Sequence, residues 1–174
     1  MDDEAPGVEA WKKQTSAFDR VRSVAGTVSG PQPVSYIATE AHVAENTARS
    51  HLERLVEMNV LMKRDIGGAA MYEPDPLHTR VQTLRDLLDE YDHDGLLQLK
   101  AELQEQVETW AREYGVESPE ALRRRAAESA DAAETREIRE TANDWALLLY
   151  RLDIVEQAIE NYTAYSRDSP APAG

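Results

Sequence analysis

The chain has 174 residues, 41% hydrophobic and 30% charged, with a net charge of −14, which is enough apolar material for one compact domain or two small ones. It has no cysteine, so disulfides, thiolate metal ligands and thiol catalysis are excluded. No basic-then-apolar segment opens it and no apolar run approaches about 18 residues; the expectation is a cytoplasmic protein with no secretory signal and no membrane contact.

Residues 1–14 are acidic, carry Pro6 and Gly7, and read as a flexible N-terminus on which Trp11 could dock. A helix is predicted over about Thr15 to Ser29, with Phe18, Val21, Val24, Ala25 and Val28 as its apolar set and Gly30-Pro31 as its end. Ser35 then suits an N-cap, because its hydroxyl can accept from an unpaired first-turn N–H. Ile37, Ala38 and Ala41 give a small apolar face, and the chain must turn at His42, where positive φ is cheapest. Val43 plugs that turn.

A second helix starts near Ala44 or Glu45, with Ala48, Leu52, Leu55 and Val56 on one face. Val60 to Arg64 reads as a strand, Gly67-Gly68 as a hairpin turn and Ala70 to Glu73 as the returning strand, closed by Pro74. Helix, tight turn, helix and hairpin in that order place one helix in a DNA major groove with a hairpin beside it.

Helices follow over about Leu77 to Tyr91, Gly95 to Tyr114 and Pro119 to Ala127. Gly115 reads as a C-terminal cap, and Ser118-Pro119 as an N-cap with proline at the first helical position. From Ala132 to Ser166 the strongest periodicity appears. Ile138, Thr141, Trp145, Leu148, Leu152, Val155, Ile159 and Tyr162 recur at spacings of 3, 4, 3, 4, 3, 4, 3, the a/d seam of a coiled coil, with Ala142 and Leu149 widening the stripe. A helix of that length spans about 50 Å. A homodimer through Ile138, Trp145, Leu148, Leu152, Val155, Ile159 and Tyr162 is expected, because two half-sites about one DNA turn apart need two modules; the alternative is an antiparallel bundle with helices 77–91 and 95–114. Residues 167–174 read as a disordered tail.

On the second helix of the 34–74 segment, Asn46, Arg49 and Ser50 are the candidates for base readout, since Asn pairs bidentately with adenine and Arg with guanine. Thr47, His51, Arg54, Lys63 and Arg64 are candidate phosphate contacts; Thr47 could instead be a local cap, and His51 could instead pack under Tyr72. Glu45 would oppose phosphate unless it accepts from a cytosine amine. The wing tip has no Arg or Lys.

Residues 15–76, on the pattern Ile37-Ala38, Val43, Asn46-Thr47-Ala48, His51-Leu52, Leu55, Val60-Leu61 and Gly67-Gly68, resemble the winged helix-turn-helix domains of ArsR-like and MarR-like transcription regulators. Nearly the full length is similar to a branch of such regulators from salt-loving archaea. The resemblance implies a DNA-binding role more than any one target; with the periodicity above, the expectation is a mainly α fold with a small β-hairpin wing, residues 15–76 binding double-stranded DNA and residues 77–166 forming a helical dimerisation region. It brings no metal site, because the metal sensors of that superfamily use thiolates.

Charge is unevenly placed: residues 1–10 carry −4, residues 11–80 carry +1 and residues 81–174 carry −11. A module at +1 is weakly basic for phosphate binding. Only Lys12, Lys13, Lys63 and Lys100 among the 19 bases are lysine, the surface expected in a salty cytoplasm, where a Debye length of about 3 Å at molar salt screens the acid. The alternative is an interaction module that retains the fold without binding DNA.

Enzymatic chemistry is sparse, and no cofactor is expected. His42, His51, His78 and His93 lack metal-ligand spacing, Asp92-His93-Asp94 reads as a polar turn, and no P-loop, dinucleotide fingerprint or nucleophile elbow occurs. Arg123-Arg124-Arg125 reads as ion-paired with nearby acids, the alternative being contact with the flanks of a DNA site. A small-molecule effector pocket lined by Trp110, Tyr114, Trp145 and Tyr150 is the remaining candidate, against the plainer reading that they form core.

Overall fold

The computed structural model describes residues 6–166, so the predicted disordered tail 167–174 lies outside the described residues, as do residues 1–5. The described chain is mainly helical with one small three-stranded antiparallel sheet. It divides into two compact units at Val81–Gln82.

Pro6–Gln14 is a helix, α1, where a loose segment is expected from composition. The cause is tertiary. Arg20, 9% exposed, sends its guanidinium back to the carbonyls of Thr15 at 2.8 Å and Lys12 at 3.4 Å, and its Nε to the carbonyl of Ala41 at 2.9 Å. Trp11 lies 5.9 Å from that guanidinium and edge-on to His42 at 6.2 Å. A buried cation with its donors so satisfied holds the segment down.

Helix α2, Ala17–Thr27, starts at a reciprocal cap: Ser16 accepts from the Asp19 N–H, and the Asp19 carboxylate accepts from the Ser16 N–H. Strand β1, Gln32–Pro33, pairs Gln32 with Tyr72 and Pro33 with Met71. That pairing fixes where α3, Val34–Glu40, begins, so Pro33 occupies the cap position and Ser35 sits exposed inside the first turn rather than capping it.

His42 takes φ +51 at the turn, and Val43 donates its N–H to the Ala38 carbonyl at 3.0 Å while packing on the core. Helix α4, Glu45–Glu57, follows directly. Strands β2, Leu61–Ile66, and β3, Ala69–Pro74, pair from Leu61–Pro74 to Ile66–Ala69 around Gly67 and Gly68, both at positive φ. Two such residues in a two-residue loop give the turn whose twist matches the strands. The core of this unit joins Val21 and Ala25 of α2, Ile37 and Ala38 of α3, Ala48, Leu52 and Leu55 of α4, and Leu61 and Tyr72 of the hairpin.

Helix α5, Pro76–Glu90, leads out of the first unit. Helix α6, His93–Tyr114, is capped by Asp92, whose carboxylate accepts from the Gly95 N–H at 2.8 Å, and closed by Gly115 at φ +61. Helix α7, Pro119–Glu128, is capped by Ser118, which accepts from the Ala121 N–H at 3.2 Å. Helix α8, Ala132–Glu160, stops six residues short of the Ser166 expected from periodicity. The Asn161 side-chain amide donates to the Gln157 carbonyl at 3.0 Å, a local bond that competes with continuing the helix. A last turn, α9, spans Tyr162–Tyr165.

The heptad seam of α8 is used inside the chain. Ile138 and Trp145 join Leu122 and Ala126 of α7 in one cluster, with Val107, Trp110, Ala111 and Tyr114 of α6 against them. Val155 joins Leu84, Leu87 and Leu96 in a second, with Ile159 and Tyr162 packed on it. Leu148 and Leu152 are half-buried between the two. Of the residues expected at a dimer interface, Ile138, Trp145 and Val155 are therefore buried core of the single chain, Ile159 and Tyr162 pack against that core, and Leu148 and Leu152 are half-buried. The reason is that α6 offers a matching stripe only one short helix away, and closing that loop costs far less entropy than recruiting a second molecule.

Candidate nucleic-acid interface

Helix α4 points Ala48, Leu52 and Leu55 inward, which turns Asn46, Ser50, Glu53 and Glu57 toward the opposite side, with Arg49 and Thr47 flanking. Asn46, Thr47, Arg49 and Ser50 are all exposed. The Arg49 guanidinium donates to Asn46 Oδ1 at 3.3 Å, so the two readout candidates stand as a loosely joined donor–acceptor pair. The surface they make offers amide, guanidinium and hydroxyl groups at the spacing of adjacent turns.

The other candidates are placed differently. His51 is half-buried and edge-on to Phe18 at 5.5 Å, so it packs beneath α2 rather than under Tyr72. Arg54 lies 5.2 Å from the Phe18 ring with its own side chain exposed. Lys63 donates to Glu53 Oε1 at 2.6 Å, and Arg64 forms an ion pair with Glu73. Both bases of the hairpin are thus neutralised by acids of the same unit, so any contact they make with phosphate must compete with those pairs.

Glu53 is the residue that sequence reasoning missed. Its carboxylate also accepts from the Tyr72 hydroxyl at 2.6 Å, joining α4 to β2 and β3. Lys63 and Tyr72 are partners across the hairpin, a register the Gly67-Gly68 turn makes legible, but the helix that covers them is not. The Lys63 ammonium first, and the Tyr72 hydroxyl second, hold the Glu53 carboxyl below its usual 4.5. Burial, then the bond to Glu53, pushes the Tyr72 phenol up to about 12.

A carboxyl with a folded value below its unfolded one stabilises the fold above about pH 4.5, and that contribution is lost as pH falls through the lower folded value. Glu53→Gln is expected to flatten this acid limb, read by urea unfolding across a pH series. An acid limb identical to that of the unaltered chain would take Glu53 out of this role.

The second unit holds the remaining candidates. Arg123 binds Asn143 Oδ1 at 3.2 Å and pairs with Glu120 at 3.7 Å, and Arg125 donates to the Tyr114 carbonyl. They brace α7 against α8 and the end of α6. His93 opens α6 edge-on to Tyr162 at 5.4 Å. Trp110 and Trp145 pack at 6.2 Å within the core, Tyr114 meets Thr141 at 3.3 Å, and Tyr150 is exposed, so the four aromatic residues line no common pocket. Among the described residues no group of three or more His, Asp or Glu could hold a metal ion, and no helix is long and apolar enough to cross a membrane.

Compared with known proteins, residues 15–164 match the model of one family, described as a family of unknown function (DUF7342). No curated protein and no solved structure matches the chain.

Proposed function

The chain belongs to DUF7342, a family of unknown function, and we propose that it binds double-stranded DNA sequence-specifically as a dimeric winged helix-turn-helix transcription regulator of the ArsR-like or MarR-like type, with α4 as its recognition helix. One observation carries the reading. The exposed Asn46–Arg49–Ser50 face stands on the helix that follows a tight left-handed turn at His42, beside a three-stranded sheet ending in a hairpin. Such a helix enters a major groove with its N-terminal residues on base edges while the hairpin lies along the backbone. Asn46 and Arg49 are the base contacts, Ser50 and Thr47 contact base or phosphate, and Arg54 reaches phosphate from the helix end.

A specific observation favours a second reading, an interaction module without DNA. Lys63 and Arg64, the only bases of the hairpin, are both ion-paired. Few phosphate contacts remain, so the DNA reading requires that binding depend weakly on salt, since each contact contributes about −0.9 to the slope of log K against log salt.

Fluorescence anisotropy against DNA from the protein's own promoter and a scrambled control, from low to molar KCl, separates the two. Saturable binding that prefers the promoter and falls only shallowly with salt is expected. Equal or absent binding to both DNAs at every salt would overturn the DNA reading and leave the interaction module.

A further inference from the structure

Helix α8 carries a second seam on the side away from α6. At the same 3, 4, 3, 4, 3, 4, 3 spacing it runs from Arg136 and Arg139, through Asn143, Ala146 and Tyr150, to Asp153, Gln157 and Glu160. The middle of the helix is apolar all round, since Trp145 to Tyr150 are six consecutive apolar residues, and a helix of that kind expects burial on every side. Packing within the chain leaves part of this stretch uncovered. Leu147 is 66% exposed, Tyr150 45% and Leu149 38%.

This seam is complementary to itself. Laid antiparallel on a second copy about a two-fold axis, Ala146 faces Tyr150, Arg139 faces Gln157 and Arg136 faces Glu160, while Asn143, whose side chain binds Arg123 of α7, lies opposite Asp153. Basic end meets acidic end around an apolar centre, and one register brings all of these together. A two-fold interface requires a patch that pairs with itself in this way. The ends of the seam are available: Arg136, Arg139 and Glu160 are exposed. An open groove of about 540 Å³ beside Arg136, Arg139 and Asn143 leaves room for the partner's acidic end.

We infer that a second copy of this chain covers this face, forming an antiparallel α8–α8 dimer centred on Ala146 and Tyr150, with Leu147 at its edge. The inference specifies the interface of the dimer proposed above and rests on the dimeric part of that reading.

The test is sedimentation equilibrium of the full chain, with far-UV circular dichroism as the check on folding. The chain is expected to sediment at twice its 19.5 kDa. Leu147→Glu with Tyr150→Glu, both at exposed positions, is expected to raise the dimer dissociation constant by on the order of a hundredfold, because the new charges are buried only in the dimer. At the lowest salt that keeps the chain folded, Arg136→Glu is expected to weaken the dimer, and adding Glu160→Arg to restore it.

The chain lacks cysteine, so orientation can be read directly. Ala146→Cys chains mixed with Tyr150→Cys chains are expected to form a disulfide faster than either variant alone. A monomer at all concentrations, a dimer indifferent to the Leu147 and Tyr150 changes, or no preference for the mixed disulfide would each overturn the inference. A dimer of this kind that ignores promoter DNA would leave the interface standing and remove the DNA reading. A monomer that binds promoter DNA specifically would do the reverse.

Discussion

Arg49→Ala is expected to weaken binding to promoter DNA by roughly 5- to 150-fold, the equivalent of about 1–3 kcal/mol for one bidentate side-chain-to-base contact. Folding should be unaffected. Arg49 is exposed and its hydrogen bond in the free protein is the 3.3 Å contact with Asn46, so its loss opens no cavity and strands no buried group. Arg49→Lys keeps the charge but not the planar fork, and so is expected to lose preference for the promoter while keeping residual affinity for any DNA.

Asn46→Ala should have a comparable effect, and the double variant should cost less than the sum of the two, because the pair orients itself. Lys63→Ala makes the contrast. It breaks the contact that holds Glu53, and should lower stability more than it lowers affinity. Anisotropy titrations beside thermal melts separate these outcomes. Full operator affinity in Arg49→Ala would remove this residue from the site.

Trp145→Ala is expected to destabilise the helical unit by about 3–5 kcal/mol, the range for emptying an aromatic side chain from a packed core. A whole domain is stable by only about 5–15 kcal/mol, so this one change brings the unit close to unfolding. Trp145 is 1% exposed and lies between Trp110 of α6 and the buried Leu122 and Ala126 of α7. Trp145→Phe is the informative companion. The indole N–H is buried with no hydrogen-bond partner among the described residues. Phenylalanine keeps an aromatic ring against Trp110 and discards the unpaired donor, so it should cost less than about 1.5 kcal/mol. Denaturant unfolding followed by near-UV circular dichroism reads both. Were the Ala variant to change the dimer constant while leaving the unfolding of the chain alone, the packing role of Trp145 would be wrong.

The elements with local causes are legible in the residues themselves. His42 has to turn the chain, and it does so at positive φ. Gly67-Gly68 marks the hairpin, Gly115 the end of α6 and Ser118-Pro119 the start of α7, each because the required backbone angle or cap is a property of the residue. The polar run Asn46, Thr47, Arg49 and Ser50 is readable as an outward face because helical periodicity places Ala48, Leu52 and Leu55 opposite.

Which surface meets which is not legible in that way. Arg20 reads as an ordinary charged residue of an amphipathic helix until three carbonyls of α1, its following turn and the end of α3 converge on it. Glu53 reads as a solvated acid until Lys63 and Tyr72 close over it. The seam of α8 reads as a contact between two chains until α6 and α7 are seen to pack on it within one. Periodicity determines which side chains share a face, since that follows from 3.6 residues per turn. It carries no information on what covers the face, which depends on contacts distant in the chain, and for α8 these come from α5, α6 and α7.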